Sequence, residues 1–150
     1  MATTAAEPVF VDTNVLAYSQ QALSPFHGPA VAKLTGLRAA GHELWISRQI
    51  LREYLAGLSR PGLLLVPVPM PGLVNDVRLF ATTYRIAEDG PAVTTELLTL
   101  LTTIPAAGKQ VHDTNIVATM LAHGISRLLT HNVADFNRFG GHITVEPLVP

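Results

Sequence analysis

The sequence contains no cysteine, which excludes disulfide bonds and metal sites built from thiolates. It is also poor in charge: Asp, Glu, Lys and Arg make up 14% of its 150 residues, against roughly 25% in a typical domain. The formal net charge is −1, so the chain lacks the basic excess that is usual in nucleic-acid-binding domains, although a local basic surface can act within a neutral total. The absence of cysteine fits the cytoplasmic location that we expect.

Long hydrophobic runs are also missing. No apolar stretch reaches the roughly 18 residues of a membrane-spanning helix, and the stretch 63–74 is interrupted by Pro67, Pro69 and Pro71. Residues 1–8 contain an acid and no basic residue, so we expect neither a signal peptide nor a membrane association. With so little charge, part of the apolar surface should be covered by a partner or a second subunit, and the apolar helices between 72 and 101 are the first choice for it.

Short apolar runs alternate with segments of helical periodicity. Strands are predicted at 9–11, 44–46, 127–130 and 143–145, and helices at 14–21, 24–40, 48–60, 72–84, 92–101 and 112–123. A loop is expected at the Pro-rich segment 61–71, and a loop or short helix at 132–139. This alternation predicts one α/β domain over residues 1–150 with a parallel sheet.

Four of the eleven acidic residues are placed so that they could meet. Asp12 directly follows the first predicted strand, and Glu53 lies one to two turns into the helix after the second. Asp113 is expected in the first turn of the helix near 112, and Asp135 follows the strand at 127–130. The carboxyl ends of parallel strands share one edge of the sheet, where ligands gather. We therefore expect these carboxylates to converge at that edge.

Converging carboxylates repel one another by several kcal/mol in a partly desolvated site, so protons or a cation must compensate. Mg²⁺ and Mn²⁺ prefer such oxygen ligands, and two ions roughly 4 Å apart could act together on a phosphodiester. Polar neighbours adjoin the acids on both strands: Thr13 and Asn14 follow Asp12, while Thr130 and Asn132 lie at the later strand end. We expect these four residues to orient the metal ligands.

Four ordered segments carry a resemblance to a known family: residues 9–16 (VFVDTNVL), 52–55 (REYL), 112–118 (HDTNIVA) and 129–136 (LTHNVADF). Together they resemble the motifs of PIN domains, and more narrowly those of the VapC toxins of bacterial toxin–antitoxin pairs. The resemblance implies a three-layer fold with a central parallel sheet flanked by helices, often in a homodimer. It also implies Mg²⁺- or Mn²⁺-dependent hydrolysis of RNA, often a structured RNA such as tRNA, by metal-activated water. A small VapB antitoxin would block the site.

Matched to the family's motifs, Asp12, Glu53 and Asp113 take its three principal acid positions. Many PIN domains place the fourth acid where this chain has Asn132, and Asp135 is the acid that remains nearby. Which of these two residues takes the fourth position, and whether one or two ions bind, stays open. The implied products are a 5′-phosphate and a 3′-hydroxyl.

Each acid also has a simpler interpretation. Asp12, Asp113 and Asp135 could cap helices, and Glu53 could be a surface acid paired with Arg48 or Arg52. Beyond the acids, the residues considered for RNA contact are Arg48, Arg52, Arg85, Arg138 and His131, although an exposed histidine without a role is the simpler interpretation for His131.

Two other functions are compatible with parts of the pattern. A PIN-like domain that no longer cuts would be a module that binds RNA or a protein, but it would be expected to lack some of the principal acids, which are present here. A phospho-accepting receiver domain or a phosphatase also places Asp after its first strand. Both usually need a lysine near the late strand ends, and the stretch 127–135 has none.

Overall fold

The strand β1 (Val9–Val11) lies at the centre of a five-stranded parallel sheet in the computed structural model of the protein, which describes residues 6–62, 64 and 66–150. The other strands are β2 (Leu44–Ser47), β3 (Arg85–Ala87), β4 (Arg127–Thr130) and β5 (Thr144–Pro147), and the order across the sheet is β3-β2-β1-β4-β5. Val9 pairs with Leu44 on one side and with Arg127 on the other. All three residues of β1 are fully buried, which explains a continuous apolar run instead of an alternating one.

Helices connect the strands and cover the sheet. They are α1 (Thr13–Gln20), α2 (His27–Ala39), α3 (Arg48–Leu58), α4 (Met70–Thr83), α5 (Pro91–Thr103), α6 (Lys109–Ala122) and the short α7 (Val133–Phe136), which a 3-10 turn at Asn137–Phe139 extends. Along the chain, β2 and β3 are added on one side of β1, and β4 and β5 are then added on its other side. Right-handed connections therefore place α1 to α4 on one face of the sheet and α5 and α6 on the other. The predicted three-layer α/β architecture with a central parallel sheet is confirmed.

The strand β3 was not predicted from the sequence. It has only three residues, of which Arg85 is exposed and Ala87 is buried, and it follows α4 with Tyr84 as the only intervening residue. Three residues are too few to show an alternating pattern. Its strand character comes from pairing with β2, in which Trp45 lies opposite Arg85. This strand forms one edge of the sheet.

The start of α6 corrects a second prediction. The helix begins at Lys109 instead of near residue 112, so Asp113 lies in its second turn and not in its first. Gly108 precedes the helix with a φ of +57°, a conformation that glycine adopts without strain. Smaller shifts affect other elements: α2 begins at His27, α4 begins at Met70 with Pro71 in its first turn, and β5 ends at Pro147.

Residues 1–5, 63 and 65 lie outside the described part of the chain, so the predictions for segment 1–8 and for the loop at 61–71 are only partly tested. Among the residues that are described, no helix has both the length and the apolar character needed to cross a membrane. That residues 1–150 form one domain stays a prediction.

Candidate active site

A cavity of about 390 Å³ opens at the edge of the sheet where β1 and β4 end. All four acids singled out in the sequence line it, namely Asp12, Glu53, Asp113 and Asp135. The polar residues Thr13, Asn14 and Asn132 and the basic residues Arg60, Lys109 and His112 also line it. Side chains from α1, α3, α6 and α7 therefore share one space with the residues that follow β1 and β4.

Asp12 is the most buried of the acids, with 6% of its surface exposed. The Thr130 hydroxyl donates to Asp12 Oδ2 over 2.7 Å, and the Asn14 amide donates to the same oxygen over 3.2 Å. The backbone N–H of Thr13 donates to Oδ1 over 2.8 Å. Asp12 is the N-cap of α1, so the capping role is real, and it leaves the carboxylate facing the cavity.

The charge on Asp12 is costly in this position. The pKa of Asp12 is raised from 3.8 to about 6. Burial is the largest cause; the hydrogen bonds from Thr130 and Thr13 act against it, and the nearby carboxylates of Glu53 and Asp113 add to it. The carboxylate is thus held by donors on one side and faces negative charge on the other. A cation in the cavity would relieve that repulsion.

Glu53 projects from the second turn of α3 and has both carboxylate oxygens engaged. The Thr13 hydroxyl donates to Oε2 over 2.9 Å, and Gln49 Nε2 donates to Oε1 over 2.9 Å. The alternative pairing of Glu53 with Arg48 is not found, because Arg48 forms two hydrogen bonds with Glu88, of 2.8 Å and 2.6 Å. Glu53 is therefore a fixed part of the cavity wall.

Asp113 reaches the cavity from α6. Its pKa is raised by burial and by the neighbouring carboxylates of Asp135 and Glu53, and it is lowered by Lys109 and Arg138. Arg138 Nη2 lies 3.9 Å from Asp113 Oδ2. Because Gly108 is the N-cap of α6, Asp113 does not cap this helix, and the capping interpretation is wrong for it.

Both candidates for the fourth acid position, Asp135 and Asn132, lie at the cavity. Asp135 lies on α7, exposed at the rim, and Asn132 is the N-cap of that short helix. The backbone N–H of Asn132 donates to Thr130 Oγ1 over 3.0 Å, so Thr130 connects this rim to Asp12. Both side chains line the cavity, and the choice between them stays a prediction.

The sequence reasoning missed several residues of this site. Gln49 and Asn115 form hydrogen bonds behind the acids, and Arg60 and Lys109 line the cavity. Two of them were signalled by spacing, since Gln49 precedes Glu53 and Lys109 precedes Asp113 by one helical turn, which places each pair on one face.

The basic residues that the sequence suggested for RNA contact do not line this cavity. Arg85 pairs with Glu43, and Arg138 approaches Asp113 from a smaller adjoining cavity. The ring of His131 packs against Phe26, with ring centroids 4.3 Å apart. His131 is thus half-buried in an aromatic cluster, and the interpretation as a freely exposed loop histidine is wrong.

The donor set suits a hard divalent cation, since its charged donors are carboxylate oxygens and the polar side chains beside them are hydroxyls and amides. In residues 6–62, 64 and 66–150, no three His, Asp or Glu side chains stand close enough together to ligate a single ion. Mg²⁺ is usually bound through only one or two carboxylates, with waters and substrate phosphate completing the shell. The excess negative charge around Asp12 is what such an ion would neutralise.

Comparison by sequence finds a related ribonuclease. No protein-family model matches the chain. Over 132 residues the chain is 25% identical to a Mycobacterium tuberculosis protein named Ribonuclease VapC48, and the match covers 87% of this chain and 90% of that protein.

Comparison by structure finds toxin–antitoxin proteins. VapBC2 from Rickettsia felis, bound to a DNA fragment from its promoter, matches with a TM-score of 0.69 and 19% identity over 93% of this chain and 97% of the other. VapC20 from M. tuberculosis, described as a toxin that cleaves the sarcin–ricin loop, matches with a TM-score of 0.63 and 18% identity over 91% and 96%. VapBC-1 from nontypeable Haemophilus influenzae matches with a TM-score of 0.66 and 16% identity over 95% and 98%. The chain thus has the PIN-domain fold of these toxins, and the resemblance to VapC proteins that its four motifs carry is confirmed.

Proposed function

We propose that the chain is a VapC-type endoribonuclease toxin that hydrolyses RNA with Mg²⁺ or Mn²⁺. The observation that carries this proposal is the single cavity lined by Asp12, Glu53, Asp113 and Asp135, at the sheet edge where an α/β protein binds its ligands. The similarity to a protein named Ribonuclease VapC48 supports the ribonuclease activity.

The proposed roles follow from how firmly each side chain is held. Asp12, tied by three donors, would be a metal ligand, as would Asp113. Glu53 would bind metal or orient the attacking water, and Asp135 or Asn132 would complete the site from the rim. A bound divalent cation lowers the pKa of water and stabilises charge that develops on phosphodiester oxygens. Thr13, Asn14 and Thr130 would keep the carboxylates in place.

The basic residues at the cavity suit the phosphates of an RNA strand. Arg60 follows α3 and Lys109 begins α6, so the two cations lie on different parts of the cavity wall. Cations that contact phosphate supply affinity without reading sequence. We propose a structured RNA, such as tRNA, as the substrate class.

We also propose a VapB-type antitoxin and a second copy of the chain as partners. The VapBC structures support an antitoxin. Apolar side chains remain open to solvent, including Leu79 and Leu98 on the predicted partner helices, which are 54% and 58% exposed. Leu23 and Val66, elsewhere, are 68% and 62% exposed. Sedimentation of the purified chain tests the homodimer, and a monomer at all concentrations would contradict it.

Incubation of the purified protein with total RNA tests the activity. We expect cleavage with Mg²⁺ or Mn²⁺, no cleavage with a chelator, and 5′-phosphate ends on the products. Asp12→Asn and Asp113→Asn should each lower the rate at least about 100-fold, because even residues that only orient metal ligands contribute 10–100-fold. Circular dichroism should show that both variants keep the fold.

Asp89→Asn is the matched control, since Asp89 is an exposed acid outside the cavity, and it should leave the rate unchanged. Full activity in the Asp12→Asn, Asp113→Asn double variant would refute the assignment of the site. Calorimetric titration with Mn²⁺ distinguishes the nuclease from the alternative, an inactive PIN-like binding module. Such a module would show neither cleavage nor Mn²⁺ binding, but it would still bind RNA or a protein.

A further inference from the structure

Gln49 is a polar side chain buried between two helices. It lies in the first turn of α3, only 8% of its surface is exposed, and its amide forms three hydrogen bonds. Nε2 donates to Glu53 Oε1 and to the backbone carbonyl of His112, each over 2.9 Å. Oε1 accepts from Asn115 Nδ2 over 2.8 Å. Both ends of the amide are thus engaged.

These partners allow only one orientation of the amide. Glu53 Oε1 and the His112 carbonyl are acceptors, so the NH₂ group must face them, while the Asn115 amide presents a donor to the oxygen. Rotating the amide by 180° would place its oxygen against a carboxylate and a carbonyl, and its NH₂ against another NH₂. Every contact would then become repulsive.

The three contacts join residues that belong to different helices. Glu53 is on α3, one turn after Gln49, whereas His112 and Asn115 are on α6 and lie on either side of Asp113 in the chain. The backbone of α6 next to Asp113 is therefore tied, through one side chain, to the carboxylate of Glu53. Because hydrogen bonds have a preferred distance and direction, these three contacts resist a displacement of α6 relative to Glu53.

We infer that Gln49, held by Asn115, is a positioning residue that sets the separation between the Glu53 and Asp113 carboxylates. The inference rests on the proposed function, because that separation matters only if both acids serve one metal-dependent reaction. Gln49 is not among the residues that line the cavity. Its effect passes through Glu53 and α6, as expected of residues that orient metal ligands.

Two substitutions at Gln49 test this role. Gln49→Met keeps the approximate size and removes all three hydrogen bonds. Gln49→Glu keeps the shape and the acceptor for Asn115, but it turns a negative oxygen toward Glu53. We expect both variants to lower kcat and Mn²⁺ affinity by about 10–100-fold, with KM for RNA nearly unchanged. Mn²⁺ affinity is measured by calorimetry without RNA, so it does not depend on activity.

Controls separate positioning from a loss of stability. Ile50→Val changes the buried neighbour of Gln49 on α3 and weakens the packing there, without touching a polar contact. It should lower the urea midpoint and leave kcat and Mn²⁺ affinity as they are. Asn115→Ala removes only the donor to Gln49 Oε1 and keeps α3 intact, so it should produce a weaker loss of the same two quantities.

The outcomes are distinguishable. A lower kcat and Mn²⁺ affinity in Gln49→Met and Gln49→Glu, but not in Ile50→Val, supports the inference. Cleavage by the unaltered protein, together with unchanged kcat and Mn²⁺ affinity in the Gln49 variants, overturns this inference alone. Absence of metal-dependent cleavage by the unaltered protein overturns the proposed function and this inference with it.

Discussion

Asp12 shows how one side chain can satisfy two interpretations that the sequence presented as alternatives. It caps α1 through Thr13, and it also lines the cavity with a carboxylate that burial and two other acids make costly to ionise. Three donors compensate only part of that cost. Helix capping alone does not explain why the carboxylates of Glu53 and Asp113 lie near Asp12.

The raised pKa of Asp12 predicts how pH changes stability. The folded protein holds this proton up to about pH 6, whereas 3.8 is the ordinary value, so the contribution of Asp12 to stability is present below pH 3.8 and is lost as pH rises through 6. In chelator, the free energy of unfolding should therefore fall by about 2 kcal/mol more in the natural protein than in Asp12→Asn between pH 4 and 7.

Urea unfolding at several pH values measures this difference. Asp89 is an exposed acid, so in Asp89→Asn the free energy of unfolding should change with pH as it does in the natural protein. If the free energy of unfolding of Asp12→Asn changed with pH as much as that of the natural protein, the carboxylate of Asp12 would be well solvated in the folded protein, contrary to its burial.

At the scale of elements, the start of α6 decides where Asp113 and Lys109 point. The periodicity of apolar residues predicted this helix but placed its start three residues late. The boundary is set by Gly108, whose φ of +57° and ψ of −124° lie in a region that favours glycine. The spacing of apolar residues carries no information about the positive φ of Gly108.

Two substitutions of glycine by alanine should therefore have opposite effects. Gly108→Ala should lower the free energy of unfolding by about 1–3 kcal/mol, because a side chain there strains the backbone. Gly36 lies inside α2, with no atom within 4 Å of an added Cβ, so Gly36→Ala should raise it by about 0.5–1 kcal/mol. Urea unfolding of both variants measures the two effects, and equal signs would contradict the assigned start of α6.

At the scale of the whole molecule, a bound cation should stabilise the fold. A ligand that binds only the folded protein contributes about 2.7 kcal/mol at 100 times its Kd. Asp12 must lose its proton to bind metal, and its pKa is about 6, so Mn²⁺ should raise Tm more at pH 7.5 than at pH 5. For a chain of this size, the rise at pH 7.5 corresponds to about 5–10 °C.

Thermal unfolding with increasing Mn²⁺ measures this rise, with KCl at matched ionic strength as the control. Asp12→Asn should show a much smaller shift at both pH values. Equal shifts in the natural protein and in Asp12→Asn would show that Mn²⁺ binds outside the cavity, which contradicts the proposed metal site.

The sequence by itself determined the buried centre of the fold and the list of acids. The run at Val9–Val11 and the motifs around Asp12 and Asp113 are local signals, because they depend on burial and helix geometry over a few residues. Only the tertiary structure decided which polar residues support those acids. Gln49 and Asn115 are 66 positions apart in the chain, and they meet because the fold brings the first turn of α3 close to α6. Edge strand β3 likewise owes its conformation to a neighbour that lies far away in the sequence.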